Sequence, residues 1–237
     1  MLFSQISAIL FDKDGTLFDF SASWSGWALD VIEGLSGGDA AQKARLADAL
    51  HFDLRLRQFH PSSPVIAGTL DESADLLLSH LPHLSAEALV AHLLQSSEHA
   101  EMIAPLPLSP LLEGRAQRGY LLGGATNDGV ASAHAHLRRA GVLGHFAHVL
   151  GYDSGYTPKP APDMLLGFAA LAGLEPARVV MVGDSTHDLV AGRAAGMATI
   201  GVLTGMAGAA DLAPFADLVL PDIGHLPQAL SGAAQAG

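Results

Sequence analysis

The sequence predicts an α/β protein, a doubly wound and mainly parallel sheet of Rossmann-like design with an all-helical cap inserted into it. Three observations predict this. Short, nearly continuous apolar runs recur and end in Gly or Asp, as strands buried on both faces of a parallel sheet do. From about residue 111 onward, helical patterns alternate with those runs. Between residue 21 and about 104 the alternation stops, and only helix-like periodicity remains.

The first strand is expected at 8–11, where an apolar run leads straight into Asp12, Lys13, Asp14, Gly15 and Thr16. Four helices follow, over about 22–35, 39–59, 69–80 and 85–103, with no convincing strand among them. Thr69 and Glu72 have capping-box spacing at the start of the third. Pro61 and Pro64 punctuate the connection before it, and "APLPLSP" (104–110) reads as a stiff return linker. Further strands are expected at 120–125, 147–150, 178–182, 198–203 and 218–220. Val130, Ala133, Leu137 and Ala140 form one helix face closed by Gly141. Pro160 and Pro162 open another helix, which Gly173 ends. The expected division is therefore a core of 1–18 and 105–237 around a cap of 19–104. A Gly/Ala-rich tail after Leu230 is expected to fray.

Composition narrows the function classes. At 237 residues, with 49% hydrophobic and 15% charged, the chain has material for a large core. No apolar run reaches the roughly 18 residues that span a bilayer. The start, MLFSQISAIL, has no basic segment or clear cleavage site, so a mature, cytoplasmic chain is expected. The absence of cysteine excludes disulfides, thiolate zinc sites and a cysteine nucleophile. A formal charge of −12 with no basic stripe argues against nucleic acid as a partner. A small anionic substrate would also be repelled, unless a cation or a few placed basic residues neutralise it.

An isolated Asp-x-Asp-Gly marks a turn, and the third acid of a calcium loop is missing here. What changes the reading is convergence. Asp12 and Asp14 follow the first strand, Thr126 and Asn127 follow "YLLGGA", and Asp184 follows "VVMVG". Ligands of open α/β sheets bind just beyond the carboxyl ends of the strands. Three segments thus place polar groups where one site should lie. The ordered set "DKDGT" (12–16), "TND" (126–128), "KPAPD" (159–163) and "GDSTHD" (183–188) resembles the haloacid dehalogenase-like hydrolase superfamily. The helical insertion after the first motif resembles its helical-cap subgroup, and the motifs are most similar to those of phosphoglycolate phosphatase-like enzymes.

The resemblance implies roles. Asp12 would be the nucleophile that forms an aspartyl-phosphate, and Asp14 the acid and then the base. Asp12, the backbone carbonyl of Asp14, and Asp184 would hold Mg²⁺, whose preference is for hard oxygen ligands. Thr126 and Asn127 would bind phosphate oxygens, Lys159 would neutralise charge on the transferring group, and Asp188 would stand behind Lys159. An acid at Asp14 argues for phosphate chemistry over carbon–halogen cleavage, because halide needs no protonation. The expected activity is Mg²⁺-dependent hydrolysis of a small phosphorylated metabolite, phosphoglycolate being the first candidate. A sugar-phosphate mutase of the same superfamily and a non-catalytic phospho-ligand binder are the alternatives. Monomer and homodimer are both open, and no membrane association is expected.

Outside the motifs the expectations are plainer. Strand alternation points Lys13 away from Asp12, and no catalytic role is assigned to it. The twelve histidines are taken as surface or core-edge residues, and Trp24, Trp27 and Phe52 as packing within the cap. Substrate choice is expected in the cap, where Arg55, Arg57, Ser62 and Ser63 adjoin the loop 60–69 and are candidates to read a leaving group.

Overall fold

The computed structural model describes residues 3–231. In chain order it contains β1 (Ala8–Phe11), α1 (Phe20–Ser36), α2 (Ala40–Ala49), β2 (Phe52–Asp53), β3 (Gln58–Phe59), α3 (Leu70–Leu78) and α4 (Ala86–Glu98). It continues with α5 (Leu108–Ala116), β4 (Leu121–Ala125), α6 (Val130–Arg139), β5 (His148–Leu150), α7 (Asp163–Ala172) and β6 (Val179–Gly183). It closes with α8 (Thr186–Ala194), β7 (Ala198–Val202), α9 (Ala209–Leu212), β8 (Leu218–Leu220) and α10 (Leu226–Ala229).

Six strands form one sheet in the order β5-β4-β1-β6-β7-β8, and every pairing is parallel. β1 lies between β4 and β6, with Leu10 opposite both Gly123 and Met181. From β4 the chain winds outward to β5, and from β6 it winds the other way to β7 and β8. The order therefore reverses around β1, and the crevice beyond the carboxyl ends of β4, β1 and β6 is where such sheets bind ligands. All four residues of β1 are buried, as a central parallel strand requires. Glycine in β4 has a packing reason. A Cβ on Gly123 would run into the Phe168 ring, so the bare backbone lets α7 lie close against the sheet.

The residues between β1 and β4 build a separate apolar cluster from α1 to α4, including Trp27, Ile32, Leu46, Leu77 and Leu89. Thr69 and Glu72 form the expected capping box at α3. The expectation of helix alone is corrected at one place. The helix expected over 39–59 stops at Ala49, and Phe52 and Phe59 pair across a short antiparallel hairpin. Local chemistry explains the break. His51 and Arg57 take left-handed backbone angles (φ 49° and 54°), and the Asp53 carboxylate accepts hydrogen bonds from the Arg55 and Leu56 N–H groups. Phe52 and Phe59 then meet edge to face at 5.1 Å inside the cap cluster. The last cap helix is also shorter than expected, ending at Glu98 rather than near 103.

No helix among the described residues is long and apolar enough to cross a membrane. Beyond Ser231 the tail expected to fray lies outside the described residues.

Candidate active site

β1 ends by handing Asp12 to the crevice, and the Asp12 N–H still donates to the Val182 carbonyl at 2.8 Å. The chain then turns sharply. Leu17 and Phe18 donate to the Lys13 carbonyl, and Gly15 takes φ +88° directly beneath the Asp184 carboxylate. A side chain at Gly15 would collide with that carboxylate, so the glycine of "DKDGT" serves close approach as well as backbone freedom. Thr16 donates to Asp184 Oδ1 at 3.2 Å, and Thr204 donates to the Gly15 carbonyl at 2.6 Å.

Lys159 arrives from the loop before α7. Its Nζ donates to Asp12 Oδ1 (2.6 Å), Asp188 Oδ1 (2.6 Å) and the Ala125 carbonyl (2.7 Å), so all three ammonium hydrogens are engaged. Asp188 is fixed from its other oxygen, which accepts from the backbone N–H and hydroxyl of Ser185 in the capping box of α8. The carboxylates of Asp12, Asp184 and Asp188 come within 4.8 Å of one another, all buried. One lysine cannot neutralise three buried acids. Burial drives the Asp12 carboxyl up to about 7, against the pull of Lys159 and with Asp188 and Asp14 adding to the rise. Burial likewise raises Asp184 well above the usual range, with Asp12 and Asp188 adding repulsion. Burial pulls Lys159 down, but Asp12 and Asp188 outweigh it and hold the ammonium charged. An all-oxygen cluster short of positive charge suits a hard divalent cation, and Asp12 and Asp184 are the members not already tied at both oxygens.

Asp14 stands apart from that cluster. Its Oδ1 accepts from Lys13 Nζ at 2.7 Å and from the Trp24 indole N–H at 2.8 Å. Lys13 does turn away from Asp12, as expected, but it is no bystander. It is buried, reaches Asp128 Oδ2 at 3.0 Å and His136 Nδ1 at 3.1 Å, and lies 5.2 Å from the centre of the Trp24 ring. Burial draws the lysine down, yet Asp14 and Asp128 raise it overall.

His136 corrects the reading of the histidines as surface or core-edge residues. It lies on the inner face of α6 beside Ala133 and Leu137, wholly buried. Burial and Lys13 push it down to about 4, so the ring is neutral. Because Lys13 can only donate, His136 Nδ1 accepts. Nε2 then carries the proton and donates to the Ser97 carbonyl at 2.7 Å, at the end of α4. No motif marked this residue, since its hydrogen-bond partners come from two distant segments.

Thr126 directly follows β4, buried, and its hydroxyl accepts from the Asp128 N–H at 3.0 Å. The Asn127 side chain, expected at the phosphate, is committed to the protein. It donates to the carbonyls of Ala67 (2.9 Å) and Lys159 (2.8 Å) and accepts from the Lys159 N–H (3.0 Å). It therefore ties the lysine loop to the cap.

The cavity between these groups and the cap has a volume of about 610 Å³ including its open mouth. Four cap candidates do not line it. Arg55 and Arg57 are exposed on the hairpin, Ser62 is exposed against His60, and the buried Ser63 hydroxyl donates to the Leu50 carbonyl. The hairpin that broke the helix carries both arginines away. The loop 60–69 does reach the cavity, but through its later part, Val65 to Thr69. Trp24 and Trp27, expected as cap packing, form cavity wall as well, whereas Phe52 stays inside the cap.

The family model of haloacid dehalogenase-like hydrolase matches residues 6–196. A phosphoglycolate phosphatase of Neisseria meningitidis is 30% identical over 228 residues, covering 94% of this chain and 92% of that one. A protein of Dickeya dadantii named "Probable phosphatase IndB" is 46% identical over 96 residues, a match spanning 40% of each chain. The crystal structure of a predicted phosphoglycolate phosphatase from Haemophilus somnus superposes with a TM-score of 0.72. It covers 95% of this chain and 98% of its own at 19% identity, a likeness of fold. With the family model spanning most of its length, the chain belongs to the haloacid dehalogenase-like hydrolase family.

Proposed function

We propose that this protein is a Mg²⁺-dependent phosphatase that hydrolyses a small organic phosphate monoester through an aspartyl-phosphate on Asp12. The observation that carries the reading is the pairing of two differently held carboxylates. Asp12 sits in the cluster with Lys159 and Asp184, while Asp14, two residues on, is held outside it by Lys13 and Trp24. On this reading one acid attacks phosphorus, and the other, held through Oδ1, transfers the proton. The names of the two relatives support a phosphatase, and the meningococcal one brings phosphoglycolate into consideration.

In the forward half, Asp12 attacks phosphorus and Asp14 gives its proton to the departing alkoxide. In the second half, Asp14 takes a proton from water, which attacks the acyl phosphate and releases Asp12. Lys159 keeps Asp12 oriented and offsets charge on the transferring phosphoryl group, for which catalysis is largely positioning and electrostatics. Asp188 and the Ala125 carbonyl fix the lysine itself. Asp12, Asp184 and the Asp14 carbonyl would hold Mg²⁺, which supplies when bound the positive charge the acidic cluster lacks. The test is phosphate release from small esters with Mg²⁺ and with chelator. Turnover that chelator abolishes and Mg²⁺ restores is the expected result; turnover indifferent to both would remove the metal from the reading.

A further inference from the structure

The cap side of the cavity limits what the leaving group can be. Its wall is formed mainly by the apolar side chains of Phe20, Trp24, Trp27, Val65, Ile66 and Leu70, with Ala67, Gly68, Thr69 and Ser73 beside them. The polar side-chain atoms among the cap's lining residues are already bonded within the protein. The Trp24 indole N–H donates to Asp14 and the Trp27 N–H to Ser96 Oγ at 2.9 Å. The Thr69 hydroxyl belongs to the capping box with Glu72, and the Ser73 hydroxyl donates to the Thr69 carbonyl at 3.2 Å. Both indoles therefore turn ring surface, not a donor, toward the space.

Charge points the same way. The lining contains five aspartates and a single lysine, Lys159, whose three hydrogens are all committed at the phosphate end. Asn127 is engaged at both ends of its amide, and His187 has Nδ1 turned to the Ala67 carbonyl at 3.3 Å, leaving Nε2. A carboxylate or second phosphate on the leaving group would enter a wall with no cation to meet it, next to a strongly acidic floor. No lysine or arginine of the wall offsets the cost of desolvating an anion there. An uncharged ring or branched alkyl group would instead bury apolar surface and stack against the indoles.

Resting on the phosphatase reading above, we infer that the substrate is the phosphate monoester of an uncharged, largely apolar alcohol of about the size of an aromatic ring, and not one bearing a carboxylate such as phosphoglycolate. The apolar wall selects by fit and burial, and it offers a second anion no lysine or arginine.

The experiment compares kcat/KM for benzyl phosphate and phosphoglycolate, which both release a primary alkoxide, with p-nitrophenyl phosphate as a check on the chemistry. Benzyl phosphate is expected to be preferred by about 100-fold, the scale on which a site rejects a group it cannot pair. Ile66→Arg, which places a cation in the wall, is expected to shift the preference toward phosphoglycolate by about tenfold or more. Val65→Lys repeats that arm should the first variant fold poorly. Phosphoglycolate equal or superior to benzyl phosphate in the parent, with p-nitrophenyl phosphate turned over, would overturn the inference alone. So would variants that move both esters equally. Turnover of no ester by the folded, Mg²⁺-supplied protein would overturn the phosphatase reading and this inference with it.

Discussion

The two walls of the cavity are made of opposite material. The core wall is a set of carboxyl groups and one lysine, carried just beyond β1 and β6, on the first turn of α8 and on the loop before α7, and each of them is hydrogen-bonded. Asp12, Asp184, Asp188 and Lys159 have almost no freedom to relocate. The cap wall is ring and alkyl surface from α1, α3 and the loop before α3, with its polar atoms turned inward to the protein. Phosphoryl transfer needs charges in a set geometry, and strand ends of a buried sheet supply that. Choosing an alcohol needs only shape and polarity, which a helical layer can vary without disturbing the chemistry. The seam between the walls is Asp14, a core carboxylate gripped by a cap tryptophan and a buried lysine.

The largest effect expected outside Asp12, the proposed nucleophile, is at Lys159. Lys159→Met removes the one cation among three buried acids, so turnover is expected to fall by about 10³-fold, measured as phosphate release. Denaturant melts of the metal-free variant are expected to show a stability loss of about 3 kcal/mol, because uncompensated buried charge remains. Unimpaired turnover would mean the core wall does not carry the chemistry.

Behind the seam, His136 ties the two regions together through Lys13 and the Ser97 carbonyl. Its folded pKa of about 4 lies below the ordinary 6.5, so its contribution to stability is complete above pH 6.5 and is lost as pH falls through 4. That loss amounts to about 3 kcal/mol across the window. Urea melts of the parent and His136→Gln between those pH values test it: the variant is expected to have the shallower acid limb. Parallel limbs would show that the histidine is not held neutral.

At the seam itself, Trp24→Phe keeps the ring and removes one hydrogen bond to Asp14. A fall of about tenfold in kcat/KM is expected, the low end of the roughly 1.5–3 kcal/mol that a hydrogen bond to a charged group contributes. The loss should be greater for alkyl esters than for p-nitrophenyl phosphate, whose leaving group needs less help from an acid. Equal losses would make the tryptophan a packing residue only. The smallest effect belongs to the hairpin. The double change Arg55→Ala and Arg57→Ala is expected to leave kcat/KM for every ester within about twofold, since neither side chain reaches the cavity. A larger change confined to one ester would put the hairpin back at the site.

What was legible in the sequence follows the same division. Asp12 and Asp184 lie in short motifs directly after apolar strands, and a strand end fixes direction, so those two could be placed together from order, whereas Lys159 joined them only through the motif resemblance. The sheet strands were found to within a residue or so, because buried parallel strands are nearly continuous apolar runs. The cap wall comes from residues scattered between Phe20 and Ser73, each of which also reads as ordinary helix packing. Arg55 and Arg57 attracted attention as charges beside a loop, but a left-handed residue and an Asx turn, invisible to helical periodicity, sent them outward. The Lys13–Asp128–His136 contacts join positions more than a hundred residues apart in chain order and have no local signature.

The most direct test of the central claim is to catch the phosphoryl group on the protein. Substrate and Mg²⁺ are mixed with the parent and with Asp12→Asn, quenched in acid within a turnover, and the proteolytic peptides weighed. The expected result is a gain of one phosphoryl mass on the peptide containing Asp12, absent from the variant along with turnover. Phosphate release that persists in Asp12→Asn, or an adduct mapping to another residue, would contradict the assignment of Asp12 as nucleophile.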